Sequence, residues 1–440
     1  MPIANAMSDS NRIHPIGLPF PRHAAWRARA VVIALCVLAA ACQTTPPAPV
    51  PVPTPSPMPA PTPAPAPVAP PPVATVPRAD FTRVAWSAIP GWNTDAVDAA
   101  WPAFQIGCRA LLADPKTQPV WQSPCAAADA VTPANAAAAR TFFETHFSPY
   151  RVTAAADGND VGLVTGYYEP LLAGSRTRTA KFGVPLFAPP DDLLTIDLAE
   201  LYPELKDKRV RGRVEGRKVV PYWPRGDIEK GAAPLADKAL VYVAEPVEAF
   251  FLEIQGSGRI ELADGSIVRV NYANQNGHPY RSIGRVLIDR GDLPLSRASM
   301  QGIRAWGEAN LDKLRALLDE NPSYVFFREV PAPTPGTLDA RIDGPIGTLG
   351  VPLLAQRTIA VDARVIPLGA PIFLATTMPL TTTPLQRLTL AQDTGGAIRG
   401  AVRADYFWGF GPGPGREAGR MRQDGRMWLL WPKDAPLPDR

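Results

Sequence analysis

The sequence predicts a mainly β fold of the α+β class, with a few helices. Short runs of β-branched and aromatic residues recur from about position 161 onward, and turns such as Asp264-Gly265 separate them. Helical patterns occupy only the beginning of the folded part and one interval near position 300. From about position 340 the chain combines short strands with glycine turns and almost no helical period, which is typical of a β-barrel.

The first 41 residues have the features of a signal peptide, with three arginines before the apolar run Val31–Ala41. This run of 11 residues is too short to span a bilayer. It ends at Cys42, in a context that resembles a bacterial lipoprotein signal, where the cysteine carries the lipid. Gln43 follows the cysteine, and the Gram-negative sorting rules that this pattern resembles then favour the outer membrane. The alternative is an ordinary cleaved signal in which Cys42 has no role.

A proline-rich segment follows the cysteine. From Gln43 to Pro77 there is no charged residue, and proline recurs at nearly every second position. Such a segment cannot form a core and should lie extended as polyproline II. At about 3.1 Å per residue it could reach roughly 100 Å. We therefore predict that residues 42–79 are a lipidated cysteine and a stiff linker, and that folded sequence begins near Asp80.

Charge and residue content exclude several function classes. The formal net charge is +4, and residues 1–41 contribute +3 of it through four arginines and one aspartate, so the remainder gives no case for nucleic-acid binding. Beyond the signal, histidine occurs only at positions 146 and 278, without nearby cysteines, and no zinc or other metal site is predicted. Aspartates could in principle hold Mg²⁺ or Ca²⁺, but no calcium-loop spacing is present.

Secondary structure can be predicted along the folded part. Phe81, Val84 and Ala85, and then the stretch 134–147, suit helices. Ser296 suits the N-cap of a helical interval that Asn321-Pro322 ends, with Leu311, Leu314 and Leu318 on one face. The segment 409–415 is predicted as a loop. Strands are predicted at Val161–Tyr168, Val241–Val243, Phe250–Ile254, Ile267–Val270 and Tyr324–Phe327.

Two cysteines, Cys108 and Cys125, lie in the folded part of an exported chain, where disulfides are permitted. We predict that they pair and close a short loop. The alternative is a pair of buried free thiols.

The block from Leu388 to Gly411 is the richest in candidate chemistry. Asp393 and Asp405 each end an apolar β run, and Asp362 occupies a similar place. Burial at a strand end raises the pKa of a carboxyl above its reference of about 3.9, as an acid that must hold its proton near neutral pH requires. The aromatic residues 406–408, including Trp408, offer a platform for sugar rings. The alternative is that these aspartates only cap turns between strands.

Asp393-Thr394-Gly395 after an apolar run also resembles an aspartic protease motif. Those enzymes need two such aspartates that share a proton. The chain has no second copy, although a dimer could supply one.

From about Trp86 to Trp431 the sequence resembles the membrane-bound lytic murein transglycosylase A family, and its last part resembles the domain named for three aspartates. The stretches that carry the resemblance are TGYYEP from Thr165, FLEIQGSG from Phe251, YANQNGHPYRSIG from Tyr272, NPSYVFF from Asn321 and AQDTGGAIRG from Ala391.

This resemblance implies a double-psi β-barrel with a second β-domain inserted into it and a groove between the two that holds a glycan. The first part of the barrel, with N-terminal helices, would be residues 80–170, the inserted β-rich domain 171–325, and the rest of the barrel 326–440. The resemblance also implies that Asp405 is the catalytic acid and base, with Asp393 close by and Asp362 in the same cluster. The alternative is that Asp393 is the acid. Sugar-binding candidates, each of which could also be a turn or core residue, are Asp362, Thr165, Gly166, Tyr168, Gln255, Gly256, Ser257, Gly258, Tyr280 and Trp408.

The activity that the resemblance implies is cleavage of peptidoglycan between N-acetylmuramic acid and N-acetylglucosamine, with formation of 1,6-anhydromuramoyl ends and without metal or organic cofactor. It implies a monomer that faces the periplasm, attached to the membrane by its N-terminal lipid, with glycan strands as substrate and peptidoglycan synthases as candidate partners. Two alternatives stay open: a peptidoglycan hydrolase that uses Asp393 and Asp405 as a pair, and a non-catalytic lipoprotein that binds the cell wall.

Overall fold

The computed structural model of the chain describes residues 78–205, 208 and 210–438, all within one compact unit. The predicted signal peptide, Cys42 and the linker as far as Pro77 lie outside the described residues. Within the described part there are 17 strands and nine α-helices.

The strands are β1 Ala79–Arg83, β2 Phe147–Ala154, β3 Gly162–Glu169, β4 Leu171–Ser175, β5 Val184–Phe187, β6 Leu194–Thr195, β7 Arg211–Glu215, β8 Lys218–Pro221, β9 Ala239–Val243, β10 Ser257–Glu261, β11 Ile267–Gln275, β12 Val325–Val330, β13 Thr358–Val361, β14 Pro371–Thr377, β15 Pro384–Asp393, β16 Ala404–Phe410 and β17 Arg422–Pro432. The helices are α1 Trp101–Ala113, α2 Gln118–Asp129, α3 Ala136–His146, α4 Arg225–Glu229, α5 Pro246–Gln255, α6 Ile283–Asp289, α7 Met300–Ala309, α8 Leu311–Asp319 and α9 Pro412–Ala418.

Eight strands from the two ends of the described chain form one sheet, in the order β1-β2-β17-β14-β15-β13-β16-β3. Because β17 pairs with both β14 and β3, the six strands from β17 to β3 close into a barrel. Two pairs in this ring are parallel, β13 with β15 and β16 with β3, and the others are antiparallel. The barrel interior and the helices α1–α3 that cover it share one large apolar core.

The remaining strands form a second β-domain, which is inserted between β3 and β13. Its main sheet has the order β12-β11-β10-β4-β9-β5, and β6, β7 and β8 form a small separate sheet. Helices α5 to α8 contribute an apolar cluster of their own against it. The mainly β, α+β class and the barrel with an inserted β-domain are therefore confirmed. The inserted sheet extends past the predicted boundary at residue 325, because β12 pairs with β11 along its length to Val330.

The N-terminal segment is cross-linked internally by a disulfide and held to the barrel by an ion pair. A disulfide joins Cys108 in α1 to Cys125 in α2. The buried Arg357 donates to both carboxylate oxygens of Asp95, at 2.8 and 3.0 Å. The same carboxylate accepts from the backbone N–H of Leu388 in β15, so it joins three segments of the chain.

Several local predictions are wrong for identifiable reasons. Phe81 lies in β1, because pairing with β2 outweighs the weak helical pattern around it. Phe250–Ile254 belongs to helix α5, where Phe250 and Leu252 are buried, and short apolar runs do not distinguish helix from strand. Gly413 lies in helix α9, which begins with a proline, and not in a loop.

The predicted helical interval near position 300 is two helices. Ser299, rather than Ser296, caps α7 by accepting a hydrogen bond from the N–H of Gly302 at 3.2 Å. Leu311 begins α8 and is 74% exposed, while Leu314 and Leu318 are buried, so the three leucines do not share one buried face. The strands predicted at Val161–Tyr168, Val241–Val243, Ile267–Val270 and Tyr324–Phe327 correspond to β3, β9, β11 and β12.

Candidate active site

Four adjacent barrel strands place one residue each in a row across the sheet. Ala360 of β13 is in register with Asp405 of β16 on one side and with Asp393 of β15 on the other. Asp405 is in turn in register with Thr165 of β3. Residues in register on neighbouring strands share a face of the sheet. The small buried side chain of Ala360 therefore lies between the two aspartates.

An irregularity at the end of β15 precedes Asp393. The register with β13 shifts after Ala391, so that Gln392 is the extra residue of a bulge. The buried Gln392 side chain donates to the carbonyl of Ala103 in α1 at 2.7 Å and accepts from the hydroxyl of Thr358 at 3.2 Å. These contacts hold the strand end to the helical segment, and with it the position of Asp393.

Asp405 is partly accessible, but its carboxyl group is closely surrounded by protein. Burial raises the pKa of Asp405 to about 6, and the neighbouring Asp393 also raises it, while the Thr165 hydroxyl and Arg403 lower it. Thr165 Oγ1 donates to Asp405 Oδ1 at 2.5 Å. Arg403 Nη2 donates to the same hydroxyl oxygen at 2.8 Å. The carboxyl of Asp405 thus keeps its proton to a higher pH than an exposed aspartate.

Asp393 accepts hydrogen bonds on both of its carboxylate oxygens. Thr348 donates to Oδ1 through its backbone N–H at 3.0 Å and through its hydroxyl at 2.9 Å. The hydroxyl of Tyr167 donates to Oδ2 at 3.1 Å. Burial raises the pKa of Asp393, although these donors oppose the rise. Asp393 is thereby fixed in orientation beside Asp405.

Asp362 has a different environment from the other two aspartates. It lies two positions after Ala360, is 1% exposed, and forms an ion pair with Arg364 at 2.7 Å. The N–H of Gly400 also donates to it, at 2.9 Å. Burial alone would raise the pKa of Asp362, but Arg364 and the backbone donors outweigh it and lower the pKa. Among the described contacts none joins its carboxylate to Asp393 or Asp405, so its role in this structure is to hold the loop before β16.

The aromatic residues after Asp405 do not form a sugar platform, which corrects the sequence-based prediction. Side chains alternate along β16, so Tyr406 and Trp408 point into the barrel core and Asp405 points to the other face. Trp408 is 4% exposed and its indole N–H lies 3.3 Å from the sulfur of Met421. A Cβ atom on Gly166 would come within 2.6 Å of that indole, so this glycine allows the ring to pack.

The predicted residues of the inserted domain meet the barrel at Tyr168. Gln255, the last residue of α5, accepts a hydrogen bond from the backbone N–H of Tyr168 at 3.0 Å. Gly256 has a φ of +79° and ends the helix in the left-handed conformation that glycine adopts without strain. Ser257 and Gly258 are buried at the start of β10, where a Cβ on Gly258 would clash with Leu252 at 2.4 Å. This motif shapes the junction of the two domains.

A cavity of about 350 Å³ lies at this junction. Tyr168 and helix α9 line it from the barrel, and helices α5 and α7 line it from the inserted domain. Tyr280 lies elsewhere. It is 52% exposed and lines a separate depression with Arg281 and Glu320.

Sequence reasoning missed three residues around the aspartate pair: Thr348 and Tyr167 donate to Asp393, and Arg403 reaches Asp405 through the hydroxyl of Thr165. Arg403 lies two positions before Asp405 and has no motif of its own. Tyr167 lies inside the TGYYEP motif, so this motif is a signal that could have identified it. Thr348 comes from an irregular segment, and no local pattern predicts its contact with Asp393.

The described part of the chain shows neither a membrane-spanning helix nor a metal-binding cluster. None of its helices is both long and apolar enough to cross a bilayer. Nor does it contain a group of three or more His, Cys, Asp or Glu side chains arranged to hold a metal ion.

Comparison with known families agrees with this geometry. The model of the MltA specific insert domain matches residues 163–328, and the model of the 3D domain matches residues 357–431. Relatives that share this fold are described as lytic murein transglycosylases. The chain belongs to the MltA family, whose curated members are described as membrane-bound and therefore belong to the cell envelope.

Individual relatives extend over most of the described chain. Membrane-bound lytic murein transglycosylase A of Escherichia coli K12 is 36% identical over 283 residues, which are 62% of this chain and 66% of that protein. The crystal structure of MltA from Neisseria gonorrhoeae in its monoclinic form has a TM-score of 0.69 and 39% identity, covering 81% of this chain and 94% of that one. Escherichia coli MltA with bound chitohexaose has a TM-score of 0.59 and 27% identity, covering 83% and 97%.

Proposed function

We propose that this chain is a lytic transglycosylase that cleaves the β-1,4 bond between N-acetylmuramic acid and N-acetylglucosamine in peptidoglycan and leaves 1,6-anhydromuramoyl ends. The observation that carries the proposal is Asp405, a partly exposed residue whose carboxyl group has a pKa that burial raises to about 6. Such a group is protonated in a useful fraction near neutral pH, as a general acid requires. The relative solved with bound chitohexaose supports a glycan as the ligand.

The proposed reaction needs one proton and returns it. Protonated Asp405 donates to the glycosidic oxygen, and the bond from that oxygen to the anomeric carbon breaks. The 6-hydroxyl of the same N-acetylmuramic acid then attacks the anomeric carbon, and its proton passes to the Asp405 carboxylate. Because the attacking hydroxyl and the anomeric carbon belong to the same sugar, the step has the effective-molarity advantage of an intramolecular reaction. Water must be kept from the anomeric carbon, because hydrolysis would compete.

The contacts of Asp393 favour a single acid over an acid and nucleophile pair. Both of its carboxylate oxygens accept hydrogen bonds, from Thr348 and from Tyr167. A nucleophile needs a free oxygen directed at the anomeric carbon. We assign Asp393 the electrostatic role of raising the pKa of Asp405.

Replacing Asp405 tests the proposal. Asp405→Asn retains the shape and the Thr165 contact but cannot give up a proton, so glycan cleavage should fall by at least about 10²- to 10⁴-fold. The measurement is release of muropeptides from purified peptidoglycan, with mass spectrometry of the products. Asp157→Asn, in an exposed turn, is the matched control and should retain full activity.

The product masses separate the alternatives. Anhydro ends lack one water relative to hydrolytic ends, so a digest that contains only reducing ends would instead establish a hydrolase that uses the aspartate pair. Absence of any cleavage by the folded wild-type protein would establish a non-catalytic cell-wall lipoprotein. Full activity of Asp405→Asn would move the acid role to Asp393.

We further propose that the chain is a monomer attached to the outer membrane through a lipid on Cys42 and facing the periplasm, with synthases as candidate partners. The lipoprotein-like context of Cys42 and the uncharged proline-rich segment after it support this arrangement. The sugar-binding roles predicted for Gly166, Tyr168, Tyr280 and the stretch Gln255 to Gly258 also belong to the proposal. Strand pairing supports a proposed division into barrel residues 80–170 and 331–440 around an insert, with the second boundary moved from the predicted residue 325. The anchor is tested by cell fractionation: the Cys42→Ser variant should no longer be found in the membrane fraction.

A further inference from the structure

Two hydrogen bonds in series connect Arg403 to the carboxyl group of Asp405. Arg403 Nη2 donates to Thr165 Oγ1 at 2.8 Å, and Thr165 Oγ1 donates to Asp405 Oδ1 at 2.5 Å. Arg403 is itself fixed by donating from Nη1 to the carbonyl oxygens of Leu163 and Ala404. Because β16 pairs in parallel with β3, Thr165 is directly in register with Asp405.

The direction of these bonds follows from the chemistry of the groups. A guanidinium can only donate, so the Thr165 oxygen is the acceptor of the Arg403 bond. A threonine hydroxyl has a single proton, which is then directed at Asp405 Oδ1. An oxygen that accepts this bond does not carry the carboxyl proton of Asp405. The proton therefore resides on Oδ2.

We propose that Arg403 and Thr165 are positioning residues that select Oδ2 of Asp405 as the oxygen carrying the catalytic proton and that stabilise the carboxylate formed when this proton leaves. The inference rests on the proposed function of Asp405 and deepens it. It gives Thr165 a role in orienting the acid in place of the sugar contact predicted from the sequence.

The hydroxyl between the two charges has a specific effect, which the neighbouring Asp362 illustrates. Arg364 binds the carboxylate of Asp362 directly through two nitrogens, and the pKa of Asp362 is lowered despite its burial. Arg403 is connected to Asp405 only through the Thr165 hydroxyl, and burial raises the pKa of Asp405 to about 6. A direct guanidinium contact would keep an acid ionised at neutral pH, whereas an intervening hydroxyl leaves it able to bind a proton.

The same contacts act during the reaction. When Oδ2 gives its proton to the glycosidic oxygen, the Thr165 bond becomes one to a charged acceptor and strengthens. When the 6-hydroxyl of the sugar is deprotonated, Oδ2 takes that proton and the starting state returns. The other titratable groups near Asp405 are Asp393 on β15 and Tyr167 on β3, and the Tyr167 hydroxyl donates to Asp393.

The test uses Thr165→Val, Thr165→Ser, Arg403→Met and the double variant Thr165→Val with Arg403→Met. The free enzyme must be protonated at Asp405, so kcat/KM is high below pH of about 6 and falls as pH rises through that value. Loss of either positioning residue raises the pKa of Asp405 and moves this fall to higher pH, by roughly one unit. At the same time kcat at the plateau falls by roughly tenfold or more, because the carboxylate formed is less stabilised.

We call the series of hydrogen bonds from Arg403 through Thr165 to Asp405 the relay, and several results together support it. We expect KM to stay unchanged, Thr165→Ser to restore the wild-type profile, and Arg403→Met to have little further effect once Thr165 is valine. Arg420→Met, an exposed residue after α9, is the charge-matched control, and thermal unfolding identifies variants that do not fold.

Other results overturn it. A pH profile of Arg403→Met that matches wild type, or effects of Arg403→Met and Thr165→Val that add independently, would show that no relay exists. Full activity of Asp405→Asn would instead take the acid role away from Asp405, which is the part of the proposed function that this inference rests on, so the two failures are distinguishable.

Discussion

Three aspartates at the ends of barrel strands differ in how readily they ionise. Direct contact with Arg364 lowers the pKa of Asp362, whereas burial raises the pKa values of Asp393 and Asp405. Only Asp405 combines a raised pKa with a carboxylate oxygen, Oδ2, for which the described structure shows no donor. At the scale of single residues, the neighbours of a carboxyl group therefore decide which aspartate suits the role of the acid.

Replacing Asp393 should change the pH dependence in the direction opposite to the relay variants. Ionised Asp393 raises the pKa of Asp405, so Asp393→Asn lowers that pKa. Activity requires protonated Asp405, so the fall in kcat/KM moves to lower pH and the rate at neutral pH decreases. Initial rates of muropeptide release across the acid-to-neutral range measure this. A shift to higher pH, or none, would contradict an electrostatic role for Asp393.

The sequence pointed to the aspartates but not to their partners. Asp393 ends its strand as predicted, whereas Asp405 is the second residue of β16 and lies at the beginning of its strand, not at its end. The contacts with Thr348 and Arg403 depend on segments that come together only in the closed barrel, so no local spacing predicts them. The exposed position of Tyr280 in a separate depression was likewise not predictable from a motif.

At the scale of a single strand, the alternation of side chains along β16 directs Trp408 into the barrel core, where its role is structural. This side chain packs edge to face against Tyr406 at 5.1 Å in the barrel core. Trp408→Ala should therefore reduce the free energy of unfolding by about 3–5 kcal/mol, as expected for a large buried aromatic side chain. Urea unfolding measures this loss, and the KM for peptidoglycan should not change in the folded variant.

A contrasting aromatic residue provides the control for this prediction. Tyr280 is 52% exposed, and Tyr280→Ala should change the free energy of unfolding by no more than about 0.5 kcal/mol. If Trp408→Ala kept its stability and raised KM, the sugar platform predicted from the sequence would be right after all.

Elements with a strong local pattern were predicted, and those fixed by distant packing were not. The alternation and β-branched content of β3, β9 and β11 are visible in the sequence. Helix α5 looks like a strand because its apolar run is short, and only its burial against β10 and β3 shows otherwise. The short helix α9 is rich in glycine and proline, and its packing against β16 and β3 overrides that composition.

At the scale of the whole molecule, one ionic cluster joins the barrel to the inserted domain. Arg259 of β10 donates to Glu169 at the end of β3 at 2.9 Å, and to Asp343 at 2.9 and 3.0 Å. Its guanidinium also lies 3.9 Å from the ring centre of Phe410, at the end of β16. Because β3 and β16 carry Thr165 and Asp405, this cluster fixes the inserted domain to the two strands of the site.

The cluster predicts a specific pattern of stability losses. Glu169 is 1% exposed, and burial already raises its pKa although Arg259 opposes the rise. Arg259→Met would leave this carboxyl group buried without its cation, at a cost of about 3–5 kcal/mol in the free energy of unfolding. Arg259→Met combined with Glu169→Gln removes the buried charge, so the double variant should be more stable than Arg259→Met alone. Urea unfolding of the three proteins measures the difference, and a double variant no more stable than Arg259→Met would show that packing against Phe410, rather than charge, joins the two domains.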